Sequence, residues 1–175
     1  MHKVIDNNYI KINKDVNLLI LVILGITLSF LENLIPINFI LPGFKLGLSN
    51  AIFLSIVYIY GLKYGLKFLT FRVLIVSFIM GSFSIFLFST ASALCSFVIT
   101  SILYKFNKYI SIYTISIFGA ICANIGQIIF AMIYLQTTSL IYYIPILLVI
   151  SPITGITVGI LANNIIPTIK RNTYA

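Results

Sequence analysis

The charged residues of this chain are confined to short breaks between long apolar runs. That arrangement limits the fold more than any motif does. Only 8% of the 175 residues are charged and 61% are hydrophobic, with a mean hydropathy of +1.14. A soluble domain carries about 25% charged residues. Water cannot solvate a surface built from this sequence, so lipid is the expected solvent for most of it. A spanning helix needs about 20 apolar residues, which leaves room for six. The expected fold is all-α, a polytopic membrane helical bundle with six transmembrane helices.

The expected spans are 17–34, 46–60, 64–80, 83–104, 110–135 and 139–166. They make one domain, 17–166, between an N-terminal tail, 1–16, and a C-terminal tail, 167–175. The second and third are short for a bilayer core of about 30 Å. Turn residues fill the separators: Pro36 and Pro42-Gly43, then Gly61 and Gly65, Gly81-Ser82, Asn107, and Gln136-Thr137-Thr138. Pro167 is expected to end the last span, with Asn163 and Asn164 at its inner face. The polar start and the further spans behind the first apolar run argue against a cleaved signal peptide.

Basic side chains orient the bundle. The net charge is +8, from 11 basic and 3 acidic residues. With the N-terminus inside, the inner segments hold Lys3, Lys11, Lys14, Lys63, Lys67, Lys105, Lys108, Lys170 and Arg171, and the outer ones only Lys45. This positive-inside bias predicts a multi-pass protein of a bacterial cytoplasmic membrane with both termini cytoplasmic. The same distribution, without a nucleic-acid-binding motif, argues against a nucleic-acid partner. Tyrosines agree: Tyr58, Tyr60, Tyr64, Tyr104 and Tyr109 gather near the inner boundary, and Tyr134, Tyr142 and Tyr143 near the outer one.

Arg72 is the residue that most suggests chemistry. It sits in mid-span, where a charge costs roughly 2.5–3.5 kcal/mol on insertion scales and needs a partner inside the bundle. It is either a counter-charge for an anionic ligand or a structural tie to carbonyls or Glu32, unless it snorkels inward. The connection from Glu32 through Pro36, Pro42, Gly43 and Phe44 to Lys45 is mostly apolar although it should lie outside. Such a loop either lids a pocket or rests on the membrane surface. Lys45 and Ser49 share a face at the start of the second span, with Asn50 beside them, and Asn124 and Gln127 share one in the fifth. Buried amides need partners. They bind a ligand or join helices, and their depth, similar to that of Lys45 and Asn50, points to a pocket.

Small residues mark close-packing faces: Gly25 and Ser29; Ser89, Ala93, Ser92 and Ser96; and the GxxxG pair Gly155 and Gly159. Each face packs internally or against a partner helix. There is no phosphate loop, no metal-ligand spacing and no nucleophile motif. Asp6, Asp15 and Glu32 are too scattered to hold Mg²⁺. No catalytic residue, metal or cofactor is expected. Cys95 and Cys122 read as small buried hydrophobes.

Several motifs carry a resemblance: Pro42-Gly43-Phe44-Lys45-Leu46-Gly47-Leu48-Ser49-Asn50, Arg72-Val73-Leu74, Gly119-Ala120 with Ala123-Asn124 and Gly126-Gln127, and Tyr142-Tyr143 with Pro145. Over residues 18–163 the chain resembles the Gx transporter family, often labelled heptaprenyl diphosphate synthase component I. That family is similar to the substrate-binding S components of energy-coupling-factor (ECF) transporters. The resemblance implies a six-helix protein with an outward pocket capped by the loop between spans one and two. It implies Gly25 and Ser29 as the docking pair for a coupling subunit, with ATPases in trans.

Three readings follow. The first is a substrate-binding subunit for uptake of a small anionic molecule, with Lys45, Asn50, Arg72, Asn124 and Gln127 holding it and the Glu32–Phe44 segment as lid. The second is a non-catalytic membrane component of a polyprenyl (heptaprenyl) diphosphate synthase or a prenyl-lipid binding protein. It is accessory because prenyl synthases hold Mg²⁺-diphosphate on aspartate-rich motifs. The third is a structural protein whose polar residues only pack helices. Membrane lipid surrounds the chain in each.

Overall fold

The computed structural model describes residues 2–34 and 47–174. Among them are six α-helices: α1 (His2–Leu34), α2 (Leu48–Tyr60), α3 (Leu62–Met80), α4 (Phe83–Tyr104), α5 (Ile112–Leu135) and α6 (Ile144–Tyr174). A 3₁₀ turn, Ser139–Tyr143, leads into α6. No strand occurs among the described residues. Four segments are long and apolar enough to cross a membrane: Ile12–Leu34, Phe83–Tyr104, Ile112–Leu135 and Ser139–Arg171. The chain is an all-α membrane helical bundle. Its outward side chains are those a lipid solvent selects, with Phe78 88% exposed and Val149 70%.

Consecutive helices run antiparallel. Turn chemistry explains the tight reversals. Gly81 closes α3 in the left-handed conformation, and Ser82 caps α4 by accepting from the Ile85 amide at 3.4 Å. Gln136 takes the left-handed position after α5 without being glycine. Antiparallel alternation defines two ends of the bundle. The Glu32 end holds the close of α1 and the start of α2. The Lys14 end gathers Lys14, Lys63, Lys67, Lys105, Lys108 and Lys170. There the Lys14 ammonium lies 5.9 Å from the Tyr60 ring centre, and the Tyr60 hydroxyl donates to the Lys14 carbonyl at 3.0 Å.

The short α2 is the central helix. At 13 residues it is about 20 Å long, too short to cross by itself. It is buried from Ala51 to Val57 on every side, as expected of a helix that is apolar all round. It packs on α1, α3 and α6. Phe53, Ile56 and Val57 join Leu21 of α1 and Phe68 and Leu69 of α3 in the main core cluster.

Close helix approach uses the small residues. A Cβ on Gly155 would lie 2.6 Å from the Ile117 Cα, and one on Gly159 would lie 2.9 Å from the Tyr113 ring. The GxxxG face of α6 is therefore spent on α5. Gly25 faces the Phe68 ring and Ile52, and Ser29 is buried. Both turn into the bundle, not to an outward face of α1.

Two boundaries differ from expectation. Helix α1 reaches back to His2, and α6 runs through Pro167 to Tyr174 instead of ending there. Proline removes one donor from the helix ladder. Near this break the Thr168 hydroxyl donates to the Asn164 carbonyl at 3.0 Å. Asn163 and Asn164 are exposed within α6 and do not terminate it.

Candidate functional site

A narrow polar cleft enters the bundle between α2, α3, α4, α5 and α6. It holds about 720 Å³ of empty space, its open mouth included. Its wall begins with Ser29 and Glu32 of α1 and descends to Thr100 of α4 and Ser116 of α5. From Ser89 to Thr100 this is about 16 Å along α4, half of a bilayer core.

The upper wall is an ordered polar chain. Gly47 precedes α2 in a left-handed conformation and has no side chain to cap it. The cap comes from the last turn of α1 instead: Glu32 Oε1 accepts from the Leu48 amide. A carboxylate at a helix N-terminus satisfies an orphan donor and faces the positive end of the helix dipole. Ser49 Oγ stands 3.4 Å from the other Glu32 oxygen. Arg72 Nη1 donates to Ser49 Oγ at 2.7 Å and to Asn50 Oδ1 at 3.0 Å. The charge at mid-membrane thus has the inward partners that burial demands.

Those two bonds use both hydrogens of Nη1. Arg72 is only 7% exposed. Its Nε and Nη2 find no acceptor among the described residues, and the side chain lines the cleft. The guanidinium is thus fixed at one corner, while the Nε–Nη2 edge stays available. This edge is the planar fork that grips a carboxylate or phosphate with two bonds.

Asn124 lines the cleft from α5 and donates to Ser151 Oγ of α6 at 2.8 Å. Ser151 passes the bond on to the Leu147 carbonyl at 2.5 Å. Asn124 therefore joins helices and lines the cavity at once. Of the residues expected to bind substrate, Asn50, Arg72 and Asn124 meet in this cleft. Gln127 lies one turn along α5, buried but not on the cleft wall, and its Oε1 has no partner among the described residues. Lys45 lies outside the described residues, as do the lid residues Pro36, Pro42, Gly43 and Phe44. Glu32, expected in the lid, is at the mouth as the cap of α2. Ser29, expected to dock a partner, lines the cleft.

The sequence reading missed Ser92, Ser96 and Thr100 as site residues. It took two of them for a packing face. A serine serves close packing and hydrogen bonding equally well, so spacing alone does not separate the two roles. The structure places all three on the cleft wall.

An apolar groove between α3 and α4, about 510 Å³ with its open side included, is walled by Leu69, Val73, Phe86 and Phe97. No group of three or more His, Cys, Asp or Glu side chains among the described residues is placed to hold a metal.

The sequence profile described as heptaprenyl diphosphate synthase component I matches residues 21–165. The chain belongs to the heptaprenyl diphosphate synthase component I family. The matched span contains every residue that lines the cleft, Glu32 and Arg72 included. No curated protein and no solved structure matches the chain.

Proposed function

We propose that this protein is a substrate-binding integral membrane subunit for uptake of a small anionic molecule. One observation carries the reading: a buried guanidinium with a bidentate edge that no described residue occupies, on the wall of a polar cleft inside a lipid-facing bundle. Arg72 supplies the charge, Asn50 and Ser49 hold it in register, and Asn124 lines the opposite wall. The gathering of lysines at the Lys14 end supports an orientation with that end in the cytoplasm and the Glu32 end outside. Energy would come from a separate coupling subunit and ATPases, as the resemblance to ECF S components implies.

Native mass spectrometry of the gently extracted protein tests this. The expected result is a bound small anion that is lost in Arg72→Gln. A protein carrying no anion, or one that keeps it in Arg72→Gln, overturns the reading.

The family description favours a second reading, a non-catalytic membrane component beside a polyprenyl diphosphate synthase. The apolar groove between α3 and α4 offers a wall for a prenyl tail. Co-purification with a soluble, aspartate-rich synthase would support it. Unchanged prenyl chain length and yield after deletion of this chain would remove it.

A further inference from the structure

Hydroxyls inside transmembrane helices usually bond back to their own helix. Many in this protein do: Ser55 donates to the Ala51 carbonyl at 2.8 Å, Thr70 to Leu66 at 3.1 Å, Thr90 to Phe86 at 2.6 Å and Thr157 to Ile153 at 3.0 Å. Others do not: Ser77 and Ser101, away from the cleft, lack a partner among the described residues, and so do three hydroxyls on the cleft wall. Ser92, Ser96 and Thr100 have no hydrogen-bond partner among the described residues. Yet Ser96 is 4% exposed and Thr100 2%. A hydroxyl that gains a hydrogen bond contributes about 0.5–1.5 kcal/mol, and these three open on the cleft, where an occupant can bond to them.

Their spacing of four residues sets them one above another on α4. The tight turn at Gly81-Ser82 pairs α3 and α4 antiparallel, which puts Ser92 roughly level with Arg72. Ser96 and Thr100 lie one and two turns deeper, down to about 12 Å below. The facing position on α5 is Gly119. A Cβ there would stand 3.3 Å from Thr100 Oγ1 and 3.6 Å from Ser96 Oγ. Glycine at 119 thus keeps a side chain from crowding these two hydroxyls.

We infer that the ligand is a hydroxyl-rich oxyanion, a carboxylate or phosphate on the Arg72 edge with a polyhydroxylated body along Ser92, Ser96 and Thr100. This rests on the substrate-binding reading above and narrows it. A prenyl chain has no group to bond these hydroxyls, so a prenyl diphosphate would leave them unpaired.

Equilibrium binding to the full chain in lipid nanodiscs tests the inference with four probes: gluconate, sorbitol 6-phosphate, hexanoate and sorbitol. Gluconate or sorbitol 6-phosphate should bind at least about tenfold more tightly than hexanoate and sorbitol, since each hydrogen bond gained is worth about fivefold. The tighter of the two names the oxyanion. Ser96→Ala and Thr100→Val should each weaken it about fivefold and leave hexanoate unchanged. Gly119→Ala, whose methyl would stand 3.3 Å from Thr100 Oγ1, should weaken it further. Equal binding of gluconate, sorbitol 6-phosphate and hexanoate overturns this inference and leaves the anion site standing. Tight binding that ignores Gly119→Ala and Thr100→Val overturns it as well. Binding of sorbitol as tight as that of both polyhydroxy anions, or of no probe at all, overturns the anion site too.

Discussion

Arg72 and Glu32 meet on one hydroxyl: the guanidinium donates to Ser49 Oγ at 2.7 Å, and that oxygen lies 3.4 Å from the Glu32 carboxylate. The serine accepts from the cation and donates to the anion, so it conducts the attraction between them through two charge-assisted bonds. Ser49→Ala removes both bonds and leaves two buried charged groups short of a partner. It should lower stability by about 1–3 kcal/mol, read as a drop in unfolding midpoint in mixed micelles. Ser49→Thr retains the hydroxyl and should recover most of the loss. An unchanged midpoint for Ser49→Ala would show that the two charges are satisfied elsewhere.

Glu32 also caps α2 through the Leu48 amide. Glu32→Gln retains an acceptor oxygen but removes the charge facing the helix N-terminus. The expected cost is about 0.3–1 kcal/mol from the dipole, together with weaker support for Arg72. The same micelle titration reads it, and Glu32→Ala should cost more than Glu32→Gln. Equal effects of the two variants would mean that the charge carries the whole contribution and the neutral acceptor none.

Arg72→Lys keeps the positive charge and discards the planar fork. An ammonium cannot hold Ser49 and Asn50 and still offer a two-point edge. Anion binding should fall at least about tenfold, the equivalent of 1.4 kcal/mol, while the protein remains folded. Wild-type affinity in Arg72→Lys would show that the contact is a point charge, and the bidentate geometry would have to be abandoned.

Gly155 and Gly61 separate two reasons for glycine. Gly155 is helical, and a Cβ would collide with the Ile117 backbone. Gly61 has φ 95° and open space around it. Gly155→Ala should push α5 and α6 apart and cost several times more than Gly61→Ala. The latter suffers only local backbone strain, about 1 kcal/mol. Comparable midpoints for the two variants would contradict the close α5–α6 packing.

The apolar runs made most of the fold legible, because each run long enough to cross a bilayer ends at a glycine, proline or polar turn. The fourth helix begins and ends where its apolar run does, Phe83–Tyr104. Pro167 misled because an exposed stretch near a helix end tolerates one missing bond. The place of Arg72 on the cleft wall was legible since a charge in hydrocarbon must turn inward, and those of Asn50 and Asn124 followed from the need of buried amides for partners. The role of Glu32 was harder to read: only the side-chain-free Gly47 before α2 hinted that a distant carboxylate would cap that helix. Ser96 and Thr100 were hidden because whether a hydroxyl bonds back to its helix depends on rotamer and neighbour, not on spacing.

The proposed orientation rests on where the lysines meet. Lys105 and Lys108 are exposed in the connection after α4, and Lys170 is exposed near the end of α6. Antiparallel alternation puts them at the same end as Lys14 and Lys63. Thr138, exposed between α5 and α6, lies at the other. In a background with Cys95→Ala and Cys122→Ala, a cysteine at Lys108 should resist a membrane-impermeant maleimide applied to intact cells and react after permeabilisation. A cysteine at Thr138 should react without it. The reverse pattern would turn the cleft mouth towards the cytoplasm, and the cleft would then receive its ligand from inside the cell.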